Sequence, residues 1–204
     1  YHLSYGMVDL PTGKMKSREG TVVDADDLIA EVIAEARVNT ADRGTIADLP
    51  AGEQEAVIRQ IGLAALKFFI VKVHPQKRMT FDPKESVDLQ GQTGPYVQNA
   101  YVRIRSVLRK SDGASLEAAS GYQQLAPIEK EIVLQLFDFP EQVRLAAQEY
   151  DPSTIANYCY HLAKNYHRFY HDHPILRAET EQARAFRLML STVIARTLEQ
   201  GMDL

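Results

Sequence analysis

Between Gly13 and Gly20 the sequence sets three cations in five residues, Lys14, Lys16 and Arg18, with Met15 and Ser17 between them. Glycines let a backbone approach a ligand closely, and cations clustered on a short turn suit a polyphosphate. The turn is not a Walker A loop, because methionine follows Lys14 and Val8 stands where that pattern needs a glycine. A second constellation follows Gly94-Pro95, where Tyr96, Gln98, Asn99, Tyr101, Arg103 and Arg105 open one predicted helix. Aromatic faces, amide side chains and nearby cations are what unstacked nucleobases require. A helix start also offers free N–H groups to phosphate. Tyr101 shares an apolar stripe with Val97 and Ile104 and reads as core, while Arg103 and Arg105 point to different faces, so that one of them at most is expected to meet RNA. A third group, Tyr160, Tyr166, Phe169 and Tyr170, fits base stacking, although helix packing explains such a run more simply. His167, His171 and His173 cluster beside it without a ligand spacing, so no metal site is predicted.

These residues need elements to position them. Residues 2–10 read as a short strand, Pro11-Thr12-Gly13 as a turn, and Glu19 to Val23 as a returning strand. Asp24 or Asp26 caps a helix carrying Leu28, Ile29, Val32, Ile33 and Ala36. Residues 43–52 hold Gly44, Pro50 and Gly52 and read as an interdomain connection. Five apolar stripes at helical spacing follow: Val57 to Phe69, Val97 to Leu108, Ile128, Ile132, Val133 and Leu136 after Pro127, Ile155 to Phe169, and Phe186, Leu190, Val193, Ile194 and Leu198, with Gly201 as a C-cap. The segment 111–121 reads as a polar loop. The predicted class is mainly α: a strand and loop remnant with one helix over residues 1–50, then an α-helical bundle over 51–204.

Composition agrees with a packed core, at 45% hydrophobic and 25% charged residues. No apolar run reaches the ~18 residues of a membrane span, and no signal peptide opens the chain. A single cysteine, Cys159, precludes an internal disulfide framework and suits the cytoplasm. The net charge of −4 conceals a segregation. Residues 57–110 hold 10 basic and 3 acidic side chains, net +7, against 5 and 11, net −6, before them and 8 and 13, net −5, after them. A basic middle in an acidic chain is a local footprint for phosphate.

The string Lys14-Met15-Lys16-Ser17-Arg18 resembles the KMSKS loop of class I aminoacyl-tRNA synthetases. Its surroundings, His2-Leu3-Ser4-Tyr5-Gly6-Met7-Val8 and Arg18-Glu19-Gly20-Thr21-Val22-Val23, resemble the arginyl enzymes in particular. Gly91-Gln92-Thr93-Gly94-Pro95-Tyr96-Val97-Gln98 and Arg103-Ile104-Arg105-Ser106-Val107-Leu108 are similar to that family's anticodon-domain signature. Three departures stand out. Ser17 replaces the loop's second lysine, Asn99 takes a position often held by tyrosine, and Arg184-Ala185-Phe186-Arg187 stands for the family's Asp-Ala-Leu-Arg run.

The resemblance implies an arginine–tRNA ligase in which this chain supplies the end of the catalytic domain and the anticodon-binding domain. It implies ATP with Mg2+, arginine and tRNA as ligands, and a monomer. Pyrophosphate departs as the aminoacyl-adenylate forms, and preplaced cations lower that barrier by meeting charge as it develops. Lys14 and Lys16 take that catalytic role, and Met15, Ser17 and Arg18 complete the ATP-binding loop. Tyr96, Gln98, Asn99, Arg103 and Arg105 are the tRNA-binding residues. The arginine pocket and the HIGH-type sequence are expected upstream of Tyr1, so the chain alone is expected to be inactive. Two other readings are a non-catalytic helical RNA-binding module and a protein-interaction scaffold. A scaffold's apolar groove would lack the steep salt dependence of tRNA binding.

Overall fold

A computed structural model describes residues 2, 4–11, 24–43, 46–111 and 117–204. Along the chain run β1 (Val8–Asp9), α1 (Ala25–Arg43), α2 (Ala51–Val71), β2 (Met79–Thr80), α3 (Pro83–Ser86), α4 (Gly94–Lys110), a 3-10 turn (Glu117–Gly121), α5 (Pro127–Glu149), α6 (Ser153–Asp172) and α7 (Glu181–Asp203). The mainly α prediction holds. The contacts separate two compact units, Tyr1–Tyr96 and Val97–Leu204.

In the first unit α1 lies against α2, because their apolar stripes face each other across Gly62. A Cβ on that glycine would stand 3.0 Å from Ile33. Val32, Ala36, Ile58, Ala65, Leu66, Phe69, Phe81 and Val87 form the core beneath, with Phe69 and Phe81 edge to face at 5.1 Å. Asp24 is the cap of α1: its Oδ1 accepts from the Asp26 N–H at 3.0 Å, and its carbonyl accepts from Leu28 at 3.0 Å. The strand expected over residues 2–10 is shorter. Among the described residues Val8 and Asp9 pair, in parallel, with Met79 and Thr80, and Leu10 adds a single bridge. The returning strand expected at Glu19 to Val23 lies outside the described residues.

The second unit packs α5, α6 and α7, the 3-10 turn and most of α4 around Ile104, Ile132, Leu162, Tyr166, Phe169, Leu188, Ile194 and Leu198, all essentially without solvent exposure. Three expectations change here. Gly201 is not a C-cap: α7 continues to Asp203, and a Cβ on Gly201 would meet the Cys159 Sγ of α6 at 2.5 Å. Glycine serves there for close helix approach. Val133 and Val193, read as stripe residues, stand 39% and 41% exposed. Part of the predicted polar loop, Glu117–Gly121, winds into a 3-10 turn that buries Ala119.

Candidate functional site

The lysine turn, with Lys14, Met15, Lys16, Ser17 and Arg18, lies outside the described residues. The strand that leads toward it is anchored. The Gly6 N–H donates to the Pro75 carbonyl at 2.7 Å, Met79 donates to Met7 at 3.0 Å, and Phe81 donates to Asp9 at 2.7 Å. The Arg78 guanidinium closes on the Asp9 carboxylate, and that hydrogen bond raises the arginine pKa further. Gly6 is required because a Cβ would stand 2.1 Å from the Lys77 carbonyl oxygen.

The start of α4 is built differently from expectation. Thr93 is its N-cap, and its hydroxyl accepts from the Tyr96 N–H at 3.2 Å. The same hydroxyl donates to the Asp88 carbonyl, and Pro95 has no N–H to offer. Gly94 is buried, with Ala64 and Phe68 of α2 beside it. The first turn therefore does not present the free N–H groups that a phosphate would need. A Cβ at residue 94 would lie 2.4 Å from the Ala64 carbonyl oxygen, backbone against side chain, with no flexible group to give way. Gly94→Ala is expected to cost about 1–3 kcal/mol by overpacking. A urea denaturation curve superimposable on wild type would refute this.

Along α4 the candidate tRNA contacts split into two groups, because 3.6 residues per turn set Tyr96, Asn99 and Arg103 on one flank and Gln98 and Arg105 on the other. Arg103 turns toward α6. Its Nη1 lies 3.1 Å from His167 Nδ1, and its guanidinium stands 5.0 Å over the Tyr170 ring. On the other flank Arg105 is exposed and sits 5.9 Å from the Tyr101 ring, whose hydroxyl donates to Glu199 of α7 at 3.3 Å. Tyr101, expected in the core, is half-buried. Gln98 keeps its side-chain carbonyl oxygen buried without a hydrogen-bond partner. Of the aromatic run on α6, Tyr166 and Phe169 are core, whereas Tyr170 is 40% exposed. Tyr170, read from sequence in a run that fits base stacking but is more simply helix packing, and His167, read there only in a histidine cluster, are thus the partners of Arg103. Their i,i+3 spacing at the edge of an apolar stripe was the available signal.

Arg187, the last residue of the Arg-Ala-Phe-Arg run, is 3% exposed. Its Nε donates to Glu129 at 2.8 Å, and its two terminal nitrogens donate to Glu179 at 2.9 and 2.8 Å and to the Pro174 carbonyl at 2.9 Å. Burial acts to lower its pKa, but its hydrogen bonds to Glu129, Glu179 and Tyr122 hold it above the usual arginine value. Burial pushes the Cys159 thiol up to about 12, so it stays protonated at neutral pH. Among the described residues no group of three His, Cys, Asp or Glu side chains could hold a metal ion, and no Mg2+ ligand is assigned. Among them, too, no helix is long and apolar enough to cross a membrane.

Comparison with known proteins places these features. Residues 97–204 match the model of the DALR anticodon binding domain. The chain is 50% identical over 206 residues to an arginine–tRNA ligase of Bacteroides fragilis and 48% identical to one of Porphyromonas gingivalis, matching along its whole length but spanning only 34% of each. It superposes on the arginyl-tRNA synthetase of Thermus thermophilus with a TM-score of 0.88 at 33% identity, over 99% of this chain and 34% of that one. The Plasmodium falciparum arginyl-tRNA synthetase shares the fold, with a TM-score of 0.79 at 20% identity over 98% of this chain and 33% of that one. The chain spans about a third of the length of the curated relatives it matches.

Proposed function

From a chain that belongs to the DALR anticodon binding domain family through residues 97–204, we propose that it is the anticodon-reading part of an arginine–tRNA ligase, a cytoplasmic monomer. Residues 1–50 are the end of the catalytic domain, and Lys14 to Arg18 serve ATP there. Mg2+ accompanies ATP in that reaction. The observation that carries the reading is Arg103 laid over Tyr170 and bonded to His167, beside the half-buried Asn99. A guanidinium plane next to an open aromatic ring extends a stack onto which an unpaired base adds, and the amide of Asn99 can pair with a base edge. Tyr96 shares this flank. Gln98 and Arg105 lie on the other, where Arg105 can meet only backbone phosphate.

Tyr170→Ala is expected to weaken binding of a tRNA with an arginine anticodon by about 1–3 kcal/mol, the range for one base stacked on an aromatic ring. Asn99→Ala is expected to relax discrimination among anticodon variants. Arg105→Ala should weaken all variants alike and reduce the salt slope by about one. Filter binding of the single mutants, with thermal melting as control, measures each. If Tyr170→Ala leaves affinity intact, the ring is a packing residue and the reading of this flank fails. A non-catalytic RNA module would show the same binding, but a longer parent carrying it would lack arginine-dependent ATP–pyrophosphate exchange.

A further inference from the structure

Lys72 follows the last turn of α2, and its side chain is half-buried in the first unit. Its Nζ donates to the Gln92 carbonyl at 2.9 Å and stands 3.8 Å over the Phe69 ring. Gln92 immediately precedes Thr93, the cap of α4. The turn from Asp88 to Thr93 is closed from within: Asp88 Oδ1 accepts from the Gln90 N–H at 2.8 Å, and the Asp88 carbonyl accepts from the Thr93 hydroxyl. Lys72 is thus an ammonium from a different element holding the residue next to the cap.

Burial lowers the pKa of Lys72, an effect that Glu85 opposes. Desolvation therefore works against keeping a charge at this place. A methionine of similar length would pack on Phe69 without that penalty, but it could not donate to Gln92. What the lysine adds over an apolar side chain is a directed, charge-assisted hydrogen bond to the turn. The first turn of a helix frays most readily, and here it carries Tyr96 with Gln98 and Asn99 directly behind it. We infer that Lys72 is a positioning residue for anticodon recognition, holding the capped start of α4 so that Tyr96 is preorganised for the bases. This rests on the tRNA reading given above.

The test uses the whole 204-residue chain, wild type, Lys72→Met and Lys72→Arg, with two tRNA transcripts, one bearing an arginine anticodon and one with its central base replaced. Wild type is expected to prefer the first transcript. Lys72→Met should lose about tenfold of that preference, roughly one preorganising hydrogen bond. Its melting temperature should stay close to wild type, since the desolvation penalty goes with the charge. Hydrogen exchange at the Tyr96 amide should quicken in Lys72→Met. Lys72→Arg, which keeps a cation and donors over Phe69, should restore both the preference and the slow exchange. A wild type without preference overturns the tRNA reading and this inference with it. A wild type that discriminates, alongside a folded Lys72→Met that discriminates equally, overturns the latch alone. If Lys72→Met melts far below wild type, the lysine holds the fold rather than the site, and the inference is again wrong.

Discussion

Arg187→Ala is expected to destabilise residues 97–204 by about 3–5 kcal/mol, the range for removing one partner of a buried ion pair. Glu129 has no solvent exposure, and its carboxylate accepts from Arg187 Nε, from the Ala126 N–H at 2.7 Å and from the Tyr122 hydroxyl at 3.2 Å. Without the guanidinium, a buried negative charge keeps two neutral donors and loses its cation. The Pro174 carbonyl and Glu179 lose their donors in the same step. Glu179 is 59% exposed, so Glu179→Gln should cost less than about 1 kcal/mol, as exposed pairs do. The double replacement Arg187→Met with Glu129→Met removes both charges and should recover most of the loss. Urea denaturation of the three variants beside wild type decides the matter. If Arg187→Ala falls within about 1 kcal/mol of wild type, water reaches Glu129 and the buried network does not hold α5 to α7 as described.

The second large effect is expected at the lysine turn, in the longer protein that carries the rest of the catalytic domain. Lys14→Ala and Lys16→Ala should each slow adenylate formation about 10²–10³-fold, as loss of one oxyanion-stabilising donor does in other enzymes. Attack on the α-phosphate drives charge onto departing pyrophosphate, and cations placed there beforehand need no reorganisation. The strand leading into the turn is pinned by β2 and by the Asp9–Arg78 pair, which gives the loop a fixed base. Affinity for tRNA should change little, because the proposed anticodon contacts belong to α4 and α6. Single-turnover adenylate formation, measured beside tRNA binding, separates the two. Unchanged rates in both variants would sink the assignment, and equal losses in rate and tRNA affinity would point to a folding defect.

Several features were readable without coordinates because their causes are local. A helix registers in sequence as apolar residues three and four apart, and all five stripes became helices. Asp24 capping α1 and Pro127 opening α5 depend on partners within four residues. The aromatic, amide and cationic residues proposed on α4 for base binding were likewise visible as residue types, and so was the basic middle of the chain. What failed locally did so for tertiary reasons. Gly201 has the sequence context of a cap but is a point of close helix approach, which only the position of Cys159 reveals.

The two arginines of α4 show the division most clearly. Period alone says that Arg103 and Arg105 face differently. It cannot say that one lies over Tyr170 while the other stays in solvent, because the deciding partners are on another helix: His167 is 64 residues from Arg103. Arg187 and Glu129 are 58 residues apart, and Tyr101 and Glu199 are 98 apart. Sequence by itself determined the helices, two of their starts and the chemical types at the candidate sites, since these follow from backbone periodicity and from hydrogen bonds within one turn. The burial of Gly94 against α2, the exposed rings and the buried charges were decided only by tertiary structure. Burial and partner choice depend on which faces of remote helices meet, and no spacing along one helix encodes that.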